Sequence, residues 1–573
     1  MSERTRRDRV LDAAVLVAAF AFAALSARGT AERIGPTFDE TTYVAEGLAV
    51  WRTGSHAGLL KLGTMPLPVD VATFPLALAE RVGGARLDPR EDLDVLLPLA
   101  RAGALPFLAI LLGAGMCLGR RAGGDWGGRL AALLLATEPA ILGHGSLATT
   151  DVAVSALLLG QVEAFLAGRG ARWPRRIGLP SLWAAGALLA KASAVAFGPI
   201  LLLAVELHRL GSEGRLPSFR TAREALRPFA RDLAQTALLA LFGALLFCGS
   251  GFRPERSLLA WARGLDGPAG PSARFVAENL RVFPNAVEGI VRQLKHNVLG
   301  HGVYLLGSAH RRAVPWYFPV ALALKLSPGV LLALAALLVS RPRALWNAAG
   351  VSALALLAFS FAYRVQIGIR LVLPLVALLL VAVAAAAAVA AKNARPGGRL
   401  LAGTLAALVP LSALAASARV FPDALCYANR LAGGTDRAYC ALSDSNYDWG
   451  QGLPDLRRAC RDRGLASIDV WYFGTDPAVA AAPFRRIQPL DPPRRDLREF
   501  AALLEGDLLA AGTTLVFGAY VPDPLPPWLR ELRSREPAFR TRTFLVYDLS
   551  AERRLAKSAE GPHETSAAAT KGR

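Results

Sequence analysis

The sequence predicts a polytopic α-helical membrane protein, with about 11 transmembrane helices and a small C-terminal α/β extracytoplasmic domain. Three observations predict it. Residues of the AVILMFWYC set make up 53% of the 573 residues, only 19% are charged, and mean hydropathy is +0.35. The apolar residues gather in runs longer than a soluble core uses, several of them near the about 20 residues that span a bilayer. Polarity then rises from about residue 421. A soluble chain of this length would divide into about three or four domains of about 150 residues, and the long runs exclude that. They also exclude a disordered chain, a coiled coil, a disulfide scaffold and a cytosolic enzyme. The net charge is +20, but the basic residues sit mainly in short loops between apolar runs, where the positive-inside rule places them. No basic stripe interleaved with aromatics stands out, so the expected partner is the lipid bilayer and no nucleic acid.

Eleven apolar segments read as spans: 10–28, 96–118, 126–143, 150–167, 177–190, 192–208, 233–252, 315–340, 344–363, 368–391 and 399–420. The first is too long for the apolar core of a typical signal peptide and no obvious processing site follows, so it is read as a retained helix. The fifth and sixth form one apolar stretch interrupted by Lys191 and Ser193. Basic residues decide the count. Arg4, Arg6, Arg7 and Arg9 precede the first span, and Arg120, Arg121 and Arg129 sit around the second turn. Arg169, Arg172, Arg175 and Arg176 follow the fourth span, and six arginines lie between Arg209 and Arg231. Arg341 and Arg343, then Lys392, Arg395 and Arg399, complete the set. With eleven spans all of these fall on one side, which makes the N-terminus cytoplasmic and the C-terminus external. Merging the fifth and sixth would move the later loops to the wrong side, so they are kept separate.

Residues 1–420 thus read as a transmembrane module, with outer loops at about 29–95 and 253–314. Residues 421–556 read as an external domain and 557–573, rich in Ala, Ser, Thr, Gly and Lys, as a disordered tail. In the external part, helix-like segments (454–464, 497–511) alternate with strand-like ones (466–473, 513–520, 541–548), which predicts a small α/β domain. No repeat of fixed period is visible. Cys117 and Cys248 fall in spans and read as buried apolar residues. Cys426, Cys440 and Cys460 fall outside, where an oxidising compartment permits one disulfide with one thiol left over, its pairing open.

The chemistry-bearing residues cluster at the outer ends of the spans. Asp39 and Glu40 stand together in Thr37-Phe38-Asp39-Glu40-Thr41-Thr42-Tyr43, just after the first span. On a helix starting there, Asp39, Tyr43 and Glu46 share one face while Glu40 turns about 100° away, so the two acids can play different parts. The plainer reading is Thr37 capping a helix whose first turn carries both acids. Asp151 follows Gly143-His144-Gly145 and opens the fourth span; it reads either as a first-turn acid after a Thr149 or Thr150 cap, or as a second carboxylate within reach of the first. His144 reads more simply as a loop histidine than as a ligand. Lys191, Lys325, Arg364 and Arg370 lie at or near outer span ends, where a cation marks an anionic ligand or snorkels to the interface. Outer acids could deprotonate a hydroxyl while outer cations hold a lipid-linked phosphate. Asp444, Asn446, Asp448, Trp449 and Gln451 crowd hydrogen-bonding groups beside an indole, which suits a sugar or a tight turn.

These motifs resemble a known family. Thr37-Phe38-Asp39-Glu40, Met65-Pro66-Leu67-Pro68, Thr149-Thr150-Asp151 and Lys191 look like the GT-C glycosyltransferases, and closest to the protein-O-mannosyltransferase and aminoarabinose-transferase-like group (glycosyltransferase family 39-like). Trp316–Lys325, Gln366–Pro374, Asn429–Gly434 and Asp444–Gln451 resemble a bacterial branch of it. The likeness runs from about residue 10 to about 475. It departs where Leu67 separates two prolines that usually adjoin, and where Leu371 follows Arg370 in place of a histidine or aromatic.

The resemblance implies a GT-C fold in the bacterial cytoplasmic (inner) membrane and transfer of a sugar from a polyprenyl-phosphate donor to an acceptor hydroxyl with inversion. It implies Asp39 as the base, with Glu40 beside it. Lys191, Arg364, Arg370 and Lys325 would hold the donor phosphate. Asp151 and His144 would bind acceptor or a metal; Tyr43 and the Asp444–Gln451 set would bind sugar. A divalent cation (Mg, Mn or Zn) is used by some members and not by others. The acceptor (lipid, glycan or protein) and the sugar stay open. Two other readings compete: a transporter or flippase of lipid-linked sugars, which predicts mid-span charges and related halves, and a non-catalytic membrane scaffold, which predicts no dependence on Asp39.

Overall fold

A computed structural model describes residues 5–215, 219–249, 256–279, 284–490, 495–520 and 524–559. The tail expected to be disordered lies, from residue 560 on, outside the described residues. Helix α1 (Arg6–Ala31) starts where the Thr5 hydroxyl accepts from the Asp8 backbone N–H, and three shorter helices follow it: α2 (Glu40–Thr53), α3 (Ala57–Lys61) and α4 (Leu67–Gly83). Next, α5 (Leu93–Thr137) runs 45 residues but turns back on itself at Gly124, whose φ of 69° and ψ of −167° are open to glycine and strained for other residues. It therefore supplies two legs, which match the second and third expected spans.

Helices α6 (Pro139–Gly145), α7 (Asp151–Gly168), α8 (Leu179–Ala190), α9 (Ala194–Ser212) and α10 (Phe219–Cys248) continue the bundle. The break between α8 and α9 falls at Lys191, whose backbone is extended (φ −160°, ψ 134°), so the fifth and sixth expected spans are separate helices. Three outer helices, α11 (Arg256–Arg263), α12 (Gly270–Asn279) and α13 (Pro284–Leu299), lead to a hairpin of β1 (Val303–Leu305) and β2 (Ser308–His310). The eighth expected span is two pieces. The chain bends by 117° between helices α14 (Tyr317–Lys325) and α15 (Pro328–Ser340). Pro328 lacks the N–H that would continue α14, and the freed Ser327 N–H and hydroxyl both donate to the buried Glu138 carboxylate. Then come α16 (Pro342–Leu345), α17 (Ala348–Ser360), α18 (Leu373–Lys392) and α19 (Arg399–Val420).

Among the described residues seven helices are long and apolar enough to cross a membrane, and the bent α14–α15 pair makes up to eight. The second leg of α5 and the shorter α8 and α17 account for the remaining expected segments. Helix α18 is buried all round against α5, α7 and α17, which is why its face reads as Leu, Val and Ala without a polar stripe. At the helix ends away from the site described below, arginines of the short loops are paired: Arg169 with Glu206 and Asp232, Arg120 and Arg129 with Asp12.

The C-terminal part holds helices α20 (Leu453–Asp462), α21 (Leu497–Ala501), α22 (Thr513–Val516), α23 (Pro527–Ser534) and α24 (Ser550–Ala559). They flank a sheet of β3 (Ile468–Trp471), β4 (Phe484–Arg486), β5 (Leu508–Gly512), β6 (Phe539–Arg540) and β7 (Phe544–Asp548) in the order β4-β3-β5-β7-β6. The β4-β3-β5 pairs are parallel and the β5-β7-β6 pairs antiparallel. The expected helix 497–511 stops at Ala501, and Leu508-Leu509-Ala510-Ala511-Gly512 is the central strand. A strand paired on both sides and covered on both faces is apolar throughout, so its periodicity does not separate it from a buried helix. The expected strand 513–520 opens instead as the single turn α22.

Cysteine behaviour also differs from expectation. Among the described residues no disulfide is present: Cys426 and Cys460 are buried in different clusters and Cys440 is exposed. Cys117 lies on an exposed face of its helix and is not a core residue.

Candidate functional site

The site lies where the C-terminal part meets the outer helix ends, and backbone pairing fixes that meeting. Gly35 N–H donates to the Gln451 carbonyl (2.9 Å) and Phe38 N–H to the Trp449 carbonyl (2.8 Å). The segment carrying Asp39 is thereby stitched to the segment 444–451. Lys325, buried at the end of α14, donates to the carbonyls of Leu425 and Asn446 (2.7 and 2.6 Å). Asn429 Nδ2 donates to the carbonyls of Ala323 and Leu326 at the end of the same helix. Lys325 is thus a clamp between the two parts, and its ammonium is committed to carbonyls, contrary to the expected role in phosphate binding.

Asp39 and Glu40 face different ways, as the helical rotation requires. Glu40 is fully buried and accepts five hydrogen bonds: from the Thr37 N–H and hydroxyl, from Arg101 Nε and Nη2 (2.9 and 2.7 Å), and from Ala148 N–H. The Thr37 bonds tie the turn that precedes α2 to the carboxylate of the helix's first residue. Burial would raise the Glu40 carboxyl, but the Arg101 guanidinium and the N–H donors outweigh it and hold it below its ordinary value. Glu40 therefore fixes the start of α2 beside Asp39 and is not among the cavity-lining residues, so of its expected roles it is not placed to bind acceptor or metal there.

Asp39 lies on the cavity side. Its Oδ2 is 3.0 Å from Nη1 of Arg370, and its side chain keeps 25% of its surface exposed. The same Arg370 nitrogen stands 3.9 Å from Oδ2 of Asp151, and Asp151 Oδ1 pairs with Lys191 Nζ at 2.5 Å. The result is an alternating row, Asp39, Arg370, Asp151, Lys191. Asp151 is fully buried behind the two cations and does not line the cavity, so it braces them and is not placed to hold an acceptor. Neither Thr149 nor Thr150 caps α7 with its side chain. His144 is buried near the end of α6, with burial pushing its imidazole down to about 3.

The segment 444–451 turns out to be the mount of Arg370. The guanidinium lies 4.0 Å over the Trp449 ring. Its Nε donates to Ser445 Oγ (3.1 Å), whose hydroxyl in turn donates to the Ile367 carbonyl, and Asn446 Oδ1 accepts from Ile369 N–H (3.0 Å). Asp448 is buried beneath, accepting from the Thr514 and Gly450 N–H groups, with burial pushing it up to about 6. Gln451 bonds to the Trp449 and Tyr447 backbone. Asn446, Asp448 and Gln451 thus serve the turn and not a sugar. Asp444 and Trp449 reach the cavity. Asp444 sits at φ 57°, a left-handed conformation that aspartate tolerates, and accepts from the Tyr520 hydroxyl.

The cavity has a volume of about 980 Å³. Asp39, Tyr43, Lys191 and Arg370 form its polar floor. Ala192, Val195, Phe197, Phe359 and Leu371, from the helix ends of the bundle, form an apolar wall. The lining is completed by α13 residues and by Phe473, Tyr520 and His301. Arg364 is absent from the lining; it is exposed and donates to the Val298 carbonyl, so it does not join Arg370 as expected. The residues that sequence motifs missed are His296, His301, Phe473, Tyr520 and Tyr363. Phe473 follows the C-terminal end of a parallel strand, the place where α/β sheets present binding groups, and that was the one available signal.

The donor set does not suit a divalent cation. Among the described residues no group of three or more His, Cys, Asp or Glu side chains could hold one. Asp39 and the buried Asp151 behind it already face Arg370 and Lys191, which would repel it.

No family model matches the chain, and no curated protein matches it. Among solved structures, it is similar to ArnT from Cupriavidus metallidurans in the apo state, at 14% identity and a TM-score of 0.45, covering 94% of this chain and 97% of that one. It is similar to the same protein bound to undecaprenyl phosphate (15%, TM-score 0.42, 94% and 97%). It is also similar to the oligosaccharyltransferase from Archaeoglobus fulgidus in the apo form (13%, TM-score 0.44, 87% of this chain and 70% of that one).

Proposed function

We propose that the chain is an integral-membrane glycosyltransferase that moves a sugar from a polyprenyl-phosphate donor to an acceptor hydroxyl. The observation that carries this is the floor of the cavity: one carboxylate, Asp39, paired at 3.0 Å to a guanidinium, with a second cation nearby and an apolar wall alongside. An apolar wall suits a prenyl chain, and two cations braced by a buried acid suit its phosphate.

In the reaction, Asp39 takes the proton of the acceptor hydroxyl as that oxygen bonds to the anomeric carbon. The bond from that carbon to the phosphate oxygen breaks on the opposite face, which inverts the configuration, and its electron pair leaves with the lipid phosphate. Arg370 and Lys191 oppose the charge that grows there, in a site where such contacts count for more than in water. Before donor binds, Arg370 is held by Asp39; a bound phosphate competes for the guanidinium and releases the carboxylate toward the acceptor. Tyr43 borders the same floor.

The direct test is transfer itself. The purified chain, given a panel of polyprenyl-phosphate sugars, is expected to release polyprenyl phosphate and form a glycoside of inverted configuration, read by mass spectrometry and NMR. Inactivity with every donor of a broad panel would count against the reading.

Gly368 offers a second expected result. A Cβ there would lie 2.2 Å from Ser445 Oγ, at a φ of 147° that L side chains rarely adopt. Gly368→Ala displaces Ser445 from Arg370, and we expect transfer to fall about 10²-fold, as for an angstrom-scale misplacement of a catalytic contact. Unchanged transfer would detach the 444–451 mount from catalysis.

The same proposal places the N-terminus in the cytoplasm and the C-terminal part outside a bacterial cytoplasmic membrane. An alkaline phosphatase fused after residue 421 is expected to be active, and a cytoplasm-dependent reporter at the same place inactive. The reverse pattern would break the orientation.

A further inference from the structure

Five aromatic rings touch in succession along the outer side of the cavity: Phe38 to Phe473 at 5.6 Å between centroids, Phe473 to Tyr520 at 5.1 Å, Tyr520 to His301 at 5.5 Å, and His301 to His296 at 6.0 Å. All five line the cavity. They come from three separate parts of the chain: the residue before Asp39, the loops at the sheet's end, and α13 with the residues that follow it. A row assembled from parts so distant is not a by-product of one amphipathic helix. Nor is it a sealed core, because Phe38 is 42% exposed and the other four are half-buried or exposed.

Polar groups run along the row. The Tyr520 hydroxyl donates to Asp444, and two imidazoles occupy the far end. At the near end, the Thr475 hydroxyl donates to the Phe38 carbonyl and shares a 2.8 Å hydrogen bond with the Thr41 hydroxyl. Ring surface with hydrogen-bonding groups at its margin is amphipathic in the way a pyranose is, with apolar C–H faces and a rim of hydroxyls. The ring-to-ring spacing is comparable with the length of one sugar unit. The row ends one residue from Asp39.

We propose that this row is a rail for an oligosaccharide acceptor, which stacks on successive rings and presents its terminal hydroxyl to Asp39. The inference rests on the glycosyltransferase reading and adds the acceptor class to it: a glycan in place of a peptide or a simple lipid. Phe473 is the contact tested, since it joins Phe38, the ring next to Asp39, to the rest of the row.

The test separates binding from transfer. Full-length Asp39→Asn protein in nanodiscs is titrated by calorimetry with maltotriose, mannotriose, chitotriose, a Ser/Thr-rich peptide and undecaprenyl phosphate. At least one trisaccharide is expected to bind, and Phe473→Ala in this background to weaken it about tenfold, the range of one lost aromatic contact. Phe473→Trp is expected to restore it, which a merely misfolded variant would not explain. The ratio of trisaccharide to undecaprenyl phosphate affinity should fall by the same factor. Peptide binding with no trisaccharide binding, or an equal loss for trisaccharide and undecaprenyl phosphate, overturns the rail. A trisaccharide that binds through Phe473 while wild-type protein transfers from no donor keeps the rail and removes the glycosyltransferase reading.

Discussion

Asp39→Asn is expected to lower sugar transfer from a polyprenyl-phosphate donor by about 10²–10⁴-fold, the usual contribution of a placed general base. The amide keeps the size of the carboxylate and can still meet Arg370, so helix α2 and its anchor at Glu40 stay in place. Expression, membrane insertion and the thermal unfolding temperature should therefore be close to wild type. The loss should appear in kcat, because the proton is taken only as the acceptor oxygen attacks, and donor KM should not rise, because a neutral amide competes less with the donor phosphate for Arg370. Asp151→Asn offers the contrast. It removes the brace behind Arg370 and Lys191, and its loss should appear chiefly in donor KM. Transfer at the wild-type rate by Asp39→Asn would remove Asp39 as the base.

The second large effect concerns the neighbouring acid. Arg101→Ala is expected to destabilise the protein by about 3–5 kcal/mol, the cost of leaving a buried charge without its partner. The side chains of Glu40 and Arg101 are 0% and 2% exposed, so water cannot replace the lost guanidinium. The same substitution frees the carbonyls of Ile34 and Gly35, which Arg101 also holds. The double variant Arg101→Met with Glu40→Gln should recover part of the loss, since it removes both charges together. Thermal unfolding in detergent gives the measurement, and equal stability of Arg101→Ala and wild type would contradict it. The pH dependence has a defined sign. The folded Glu40 carboxyl lies below its ordinary value of 4.5, so its stabilisation is complete above that pH. It is lost as pH falls through the lower folded value.

Much of this site was legible as a set of residue types and very little as a set of roles. Asp39, Lys191 and Arg370 were marked by one property, charge beside an apolar run, and all three line the cavity. The same property marked Lys325 and Arg364, and both answer to other partners. Lys325 Nζ is spent on two carbonyls and Arg364 on one. Charge at a span end reports that a partner is required, and does not say whether the partner is backbone, acid or ligand. The 444–451 cluster failed in the same way. Its density of polar side chains was visible, but their targets, the backbone and side chain around Arg370, are some 75 residues away in the chain. Residues 508–511 of the central strand read as helix in the sequence because strand pairing on both sides erases the alternation that marks a half-buried strand.

By itself the sequence determined which segments form long apolar helices, since the length of an apolar run is a local quantity. It also determined that Asp39 and Glu40 point apart, because helical rotation depends only on spacing. Tertiary structure alone decided which acid meets the cavity and which is buried against Arg101, that Asp151 stands behind two cations, and that five rings from three regions form one row. Those outcomes depend on which distant groups satisfy each buried charge or ring, and one chain segment carries no record of its future neighbours.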